Sequence, residues 1–313
     1  MSKLLKAFAV FLAIGISSLG AAVSVQAQAT VPVTTVITAL GPKYTPPPAL
    51  SKDDISVYER KDKRNVTGFT PAQGDKAGLQ LAIVIDEAST SDLSLQFGDL
   101  RNFINAQPKS TAIGVFYASN GGVQAVSQFN TDHEAAAKSL RLPLGNYGAY
   151  SSIYLSVMSL MDGWPAPGPY TRREILLIAD GIDRFRGDPF SPDIDSTYQK
   201  AQKAGVIIYS LYATGVGRAS HSMFRVNYGQ NNLAEITDKT GGDSFFQGML
   251  TPVSYAPFLG QLDMILKNQY FLSFDMNRPK NAKGELRSFG IKTEVKNVEI
   301  SSASQVFVPG TPK

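Results

Sequence analysis

The feature that most constrains this chain is a rhythm between residues 78 and 268. Short apolar runs alternate there with stretches of helical spacing, and two of the runs stop at an aspartate. Residues 79–85 end in Ile83-Val84-Ile85 before Asp86. Residues 173–179 end in Ile175-Leu176-Leu177-Ile178-Ala179 before Asp180, and 206–212 form a third run. Apolar runs of this length without polar alternation are expected for strands covered on both faces. Between them, Leu93, Phe97, Leu100, Phe103 and Ile104 share one helical face. The spacing predicts helices over 92–106, 136–140 (capped by Thr131), 151–161, 195–204, 233–240 and 258–266. Residues 111–118 and 123–129 read as a hairpin turning at Gly121-Gly122. Strands alternating with helices predict an α/β fold, a doubly wound and mostly parallel sheet with helices on both faces.

The flanks read differently. Residues 31–40 are β-branched and alternating, 55–60 and 65–69 are short strands around the turn Lys61-Asp62-Lys63-Arg64, and Ser51 is placed to cap a single helical turn. After Gln269 the helical spacing stops, and strands are expected over 269–275, 286–293 and 298–302. The dense apolar segment Tyr270-Phe271-Leu272 with Phe274 needs a partner surface, and the N-terminal strands are the candidates. The expected organisation is therefore a leader over 1–29, a β-rich flank over 30–77, a doubly wound domain over 78–268 and a β-rich extension over 269–313.

The leader is expected from Lys3 and Lys6, the uncharged apolar run 7–16, and the small-x-small sites ending at Ala27 and Ala29. Cleavage there predicts an exported protein, periplasmic or secreted, with no stable membrane insertion. Two of the four net positive charges belong to that leader, and the 30 Lys and Arg residues are scattered without a basic run. Nucleic acid is thereby excluded as an expected partner. Cysteine is absent, which removes disulfides, thiolate zinc sites and a cysteine nucleophile.

Ligands of doubly wound sheets bind at the carboxyl ends of the strands. Asp86 and Asp180 stand at two such ends. Ser89, Thr90 and Ser91 follow the first, and a helix opening Gly148-Ala149-Tyr150-Ser151-Ser152-Ile153-Tyr154 precedes the second. Carboxylates and hydroxyls converging from separate loops suit a hard cation such as Mg²⁺. The competing assignment is that both aspartates cap helices and satisfy loop amides. A hydrolase finds little support: the chain has 2 histidines, His133 and His221, and no Gly-x-Ser-x-Gly elbow. Gly215-Val216-Gly217 lacks the third glycine of a dinucleotide fingerprint. The acidic loop with Asp180, Asp183, Asp188, Asp193 and Asp195 reads as solvated and balanced by Arg184 and Arg186, a second cation there being the alternative. Trp164 is expected to cover a helix end.

Together these residues resemble a von Willebrand factor type A domain over about 78–268. The resemblance rests on the Asp86 strand with its Ser/Thr cluster, the Gly148–Tyr154 helix start, the strand ending Asp180-Gly181, and Leu233-Ala234-Glu235-Ile236-Thr237-Asp238-Lys239-Thr240-Gly241-Gly242. The flanks, with Leu50-Ser51-Lys52-Asp53-Asp54-Ile55-Ser56-Val57-Tyr58 and Asn268-Gln269-Tyr270-Phe271-Leu272-Ser273-Phe274, are similar to the secreted type A family typical of acidobacteria. The resemblance implies a metal-ion-dependent adhesion site built as Asp-x-Ser-x-Ser, a Thr and an Asp. Here Ala88 replaces the first hydroxyl and Thr90 the second; Ser151 stands for the Thr, and Asp180 matches. Shifting by one residue, Glu87-Ala88-Ser89-Thr90-Ser91 restores the hydroxyls with Glu for Asp. The implied ligands are Asp86, Ser89, Thr90, Ser151 and Asp180, holding Mg²⁺ (Mn²⁺ or Ca²⁺ as alternatives). The implied function is non-catalytic binding of another macromolecule, an acidic residue of the partner completing the coordination. The alternatives are a metal-independent scaffold using an aromatic loop over 215–230, around Phe224 and Tyr228, and a secreted hydrolase.

Overall fold

The computed structural model describes residues 29–146, 148–186, 192–245 and 248–311. The expected leader and Asp188 lie outside them, apart from Ala29. The N-terminal flank supplies β1 (Thr30–Leu40), β2 (Ile55–Glu59), β3 (Asp62–Arg64) and β4 (Val66–Pro71). Then follow β5 (Gly78–Asp86), α1 (Phe97–Ala106), β6 (Thr111–Ser119), β7 (Gly122–Asn130), α2 (His133–Lys138) and α3 (Ile153–Asp162). The alternation continues through β8 (Thr171–Ala179), α4 (Pro192–Ala204), β9 (Val206–Tyr212), α5 (Met223–Thr240), β10 (Ser244–Phe245) and α6 (Ala256–Lys267). The C-terminal extension adds β11 (Gln269–Asn277), β12 (Glu285–Ser288), β13 (Gly290–Thr293), β14 (Glu299–Ser302) and β15 (Gln305–Val308).

The central sheet has the order β10-β9-β8-β5-β6-β7, and all its pairs are parallel except the β6–β7 hairpin. Successive residues of β5 point to opposite faces. Leu79, Leu81, Ile83 and Ile85 pack with α1 and α6, while Ala82 and Val84 pack with α3, α4 and α5. This two-sided burial is why the strand reads as an unbroken apolar run. The chain leaves β5 toward β6 and returns to β8 on the other side, so the switch point lies between β5 and β8. Asp86 and Asp180 are delivered to that point.

Several local expectations are corrected. The hairpin turns at Asn120-Gly121, both at positive φ (51° and 74°), as a two-residue type I′ turn requires. Asp132 caps α2, its Oδ1 accepting from the Ala135 amide at 3.0 Å, because its carboxylate reaches an amide that Thr131 does not. α3 starts at Ile153, capped by Ser152, rather than at Ser151. The segment 91–96 forms a 3-10 turn ahead of α1. The largest correction concerns 215–230, which is no open loop. A 3-10 turn, Arg218–His221, leads into α5, which starts at Met223. Phe224 and Tyr228 are one helical turn apart with ring centroids at 4.5 Å. Gly229 serves close packing, since a Cβ there would lie 2.3 Å from the Asp180 carbonyl oxygen.

The two flanks form one antiparallel sheet, β14-β1-β11-β4, with β11 paired to β1 from Gln269 opposite Thr38 to Asn277 opposite Thr30. The strand expected over 286–293 is broken at Phe289, which packs on Phe274 instead, and its halves join different partners, β15 and β2. Arg172, buried at the foot of β8, ties the units together by donating to the carbonyls of Leu266 (2.7 Å), Ala77 (3.2 Å) and Gly78 (3.4 Å). Trp164 is buried, donates to Gln80 (2.8 Å) and packs on Phe129. No helix of the described residues is long and apolar enough to cross a membrane.

Candidate functional site at the carboxyl ends of β5 and β8

Four segments meet at this end of the sheet. The loop after β5 is pinned to the loop after β9: Thr90 donates its amide to Thr214 (2.8 Å) and Val216 donates to Ala88 (2.6 Å). The loop after β8 is pinned to the start of α3, because the Ser151 carbonyl accepts from the amides of Arg184 (3.0 Å) and Phe185 (2.8 Å). Asp86 and Asp180 are 4% and 1% exposed. Each carboxylate accepts from the amide two residues on, Asp86 from Ala88 (2.9 Å) and Asp180 from Ile182 (3.0 Å).

The cation between them belongs to the chain. Arg184 forks onto Asp180, Nη1 donating to Oδ1 at 3.1 Å and Nη2 to Oδ2. Its Nη1 also lies 3.9 Å from Asp86 Oδ2, and its side chain is 6% exposed. Ser220 closes the arrangement, its hydroxyl donating to Asp180 Oδ2 (3.1 Å) and accepting from Arg184 Nη2 (3.1 Å). Gly215 makes the room: a Cβ there would lie 2.1 Å from Asp180 Oδ2 and 2.2 Å from Arg184 Nη2. Burial pushes the Asp86 carboxyl up to about 7 against the pull of Arg184, with Asp180 adding to the rise.

Of the two registers, Asp86 is the one that faces Asp180. Glu87 turns away, paired with Arg141 and accepting from the Leu144 amide at 2.6 Å. Ser151 reaches the site through its backbone carbonyl. Ser89 Oγ and Thr90 Oγ1 are buried and have no hydrogen-bond partner among the described residues. Asp183 is spent internally on the amides of Phe185 and Arg186 and on Ser152, and Asp193 pairs with Arg186.

The orphaned hydroxyls and two carboxylates are a hard-cation donor set, but Arg184 makes the arrangement a poor fit for a divalent ion. A unit charge pair about 4 Å apart is worth about 4 kcal/mol at an effective dielectric near 20, and a divalent ion beside the guanidinium would meet about twice that in repulsion. Among the described residues no group of three or more His, Asp or Glu side chains is placed to hold a metal. What sequence reasoning missed is the inward turn of Arg184, with Ser220 and Gly215 around it. The only signal was a basic residue four positions after Asp180.

Around this charged centre lies an apolar rim. Among the described residues, Leu95, Leu142, Leu144, Tyr150, Phe185, Met223, Phe224, Met249, Leu250 and Val253 are exposed large apolar side chains. All are in the segments that cross the carboxyl ends of the strands or in the first turn of α5. Tyr170, at the opposite end, is the remaining one. The rim segments interlock through Tyr150 against Phe185 (5.3 Å), Thr214 with Thr251 (2.8 and 2.9 Å), and Gln96 with Val253 (3.2 Å).

No protein-family model and no curated protein matches this sequence. Among solved structures the chain is similar to an aerotolerance-related membrane protein from Bacteroides fragilis, at 12% identity over 60% of this chain and 98% of that one, TM-score 0.45. It is also similar to a von Willebrand factor type A protein from Catenulispora acidiphila (10%, 75% and 67%, TM-score 0.41). A third is the pilus adhesin SpaC from Lactobacillus rhamnosus GG (9%, 82% and 47%, TM-score 0.44). These are likenesses of fold. The chain's own strand order is that of a doubly wound, mostly parallel sheet, with aspartates at the carboxyl ends of β5 and β8.

Proposed function

We propose that this is an exported, non-catalytic domain that binds another protein through the apolar rim at the carboxyl ends of the sheet, without a metal bridge. The observation that carries the proposal is that ten of the eleven exposed large apolar side chains among the described residues lie at one end of the domain. Contiguous exposed apolar surface ringed by polar residues marks association sites. Leu144 is 72% exposed, Leu250 71% and Val253 98%, an unusual cost for a monomer unless a partner covers them. His133 is 2.8 Å from the Thr111 carbonyl at the foot of β6, away from the rim, and His221 lies in the surface turn before α5. Export rests on the leader read from the sequence; N-terminal sequencing of the mature protein checks it, with a new terminus after Ala27 or Ala29 expected and a retained Met1 contrary.

The binding reading is tested with proteins captured from the cell envelope and medium, identified, purified and titrated against wild type and rim variants. Leu144→Ser, Leu250→Ser and Val253→Ser should each weaken a true partner by about tenfold or more while leaving the melting temperature unchanged. A partner insensitive to all three would remove the rim as the binding surface.

A further inference from the structure

Beyond the binding role stands a question about the charged centre itself, which does not depend on who the partner is. We infer that the Arg184 guanidinium is the resident cation of this site, filling the place between Asp86 and Asp180 that type A domains of the adhesion class give to a divalent ion. The wild-type domain is then closed to metals.

Three features converge on that assignment, and a fourth marks the oxygen donors it leaves unused. Arg184 is buried and bidentate on Asp180, and its Nη1 lies within 3.9 Å of Asp86, so one side chain spans both carboxylates. A guanidinium suits this task because its planar fork matches a carboxylate and its charge persists when buried. Its backbone is held independently: the Ser151 carbonyl accepts the Arg184 amide, which orients the side chain toward the sheet. Gly215 leaves the space the pair occupies, and any larger residue would collide with both partners. Finally, the hydroxyls of Ser89 and Thr90 are buried without a partner among the described residues, although buried hydroxyls are ordinarily paired. They are the oxygen donors that a cation site would use and that a guanidinium, already engaged, does not.

The arrangement also limits how a partner engages this end. With both Nη atoms of Arg184 engaged by Asp180, Ile182 and Ser220, no open coordination position is left for an acidic side chain of the partner. Contact therefore falls to the surrounding side chains.

The test is a titration of purified protein with Mg²⁺, Mn²⁺ and Ca²⁺, followed by melting temperature and calorimetry. Wild type should show no heat and no shift at about 10 mM. Arg184→Ala and Arg184→Gln should gain Mn²⁺ or Mg²⁺ binding, with a rise of about 3 °C or more well above Kd. Adding Asp180→Asn to either variant should remove that gain, whereas adding Asp263→Asn, in a distant surface pair, should not. Metal binding by wild type that Asp180→Asn abolishes would overturn the inference, as would folded Arg184 variants that bind none of the three ions. Should neither variant fold without metal, recovery of folding with Mn²⁺ supports the inference. Should neither fold even then, the wild-type titration decides: a shift overturns it and silence sustains it.

Discussion

Gly215 shows how a single missing Cβ can decide what a site contains. Gly215→Ala would drive a methyl into both Asp180 and Arg184, and overpacking of this kind costs about 1–3 kcal/mol. Gly260→Ala, in α6 with nothing within 4 Å of the new Cβ, should instead gain about 0.5–1 kcal/mol from helix propensity. Urea unfolding of the two variants should therefore move in opposite directions. A second residue-scale test concerns Glu174, fully buried in β8. Burial raises its carboxyl pKa, and Arg172 beside it offsets the rise only in part. A carboxyl raised in the folded state favours folding below its unfolded value, near 4.3, and loses that contribution as pH climbs through the folded value. Glu174→Gln should accordingly raise the melting temperature relative to wild type at pH 8, with the advantage fading toward pH 4. An advantage that grew on acidification would contradict the assignment.

Among the elements, β11 and α5 differ most in what the sequence disclosed. The apolar density of Phe271, Leu272 and Phe274 announced a strand in need of partners, and β11 is indeed the inner strand between β1 and β4. Leu272→Ala should cost about 2–5 kcal/mol, since the side chain is fully buried in the flank core. Removing 269–313 should lower the melting temperature of the remainder by stripping β1 and β4 of their shared neighbour. An unchanged midpoint would make the extension a separate arm. The first turns of α5 were not legible. Gly229 and the glycines at 215 and 217 gave the segment a loop-like composition. Gly215 and Gly229 serve close approach, Gly229 meeting the backbone of the β8 loop, a contact set by tertiary packing and invisible to local spacing, while Gly217 takes a positive φ of 85°. Strand ends were readable for the opposite reason, because two-sided burial leaves a continuous apolar run that stops where water or a charged partner begins.

At the scale of the whole molecule, the doubly wound fold and the convergence of Asp86 and Asp180 follow from the order of apolar runs and the switch between β5 and β8. The content of the site does not follow from order alone. Arg184 lies in an acidic loop that reads as solvated, and it turns inward because Ser151, from the start of α3, and Gly215 and Ser220, from the loop after β9, hold and accommodate it. The apolar rim was likewise dispersed over five stretches of sequence that only the fold gathers. The most direct measurement is a crystal structure of the wild-type domain grown with Mn²⁺, with an anomalous difference map collected near the manganese edge. The account predicts the Arg184 guanidinium bidentate on Asp180 and no manganese peak between the two carboxylates. A manganese ion bound to Asp86 and Asp180, with Arg184 displaced toward solvent, would contradict it.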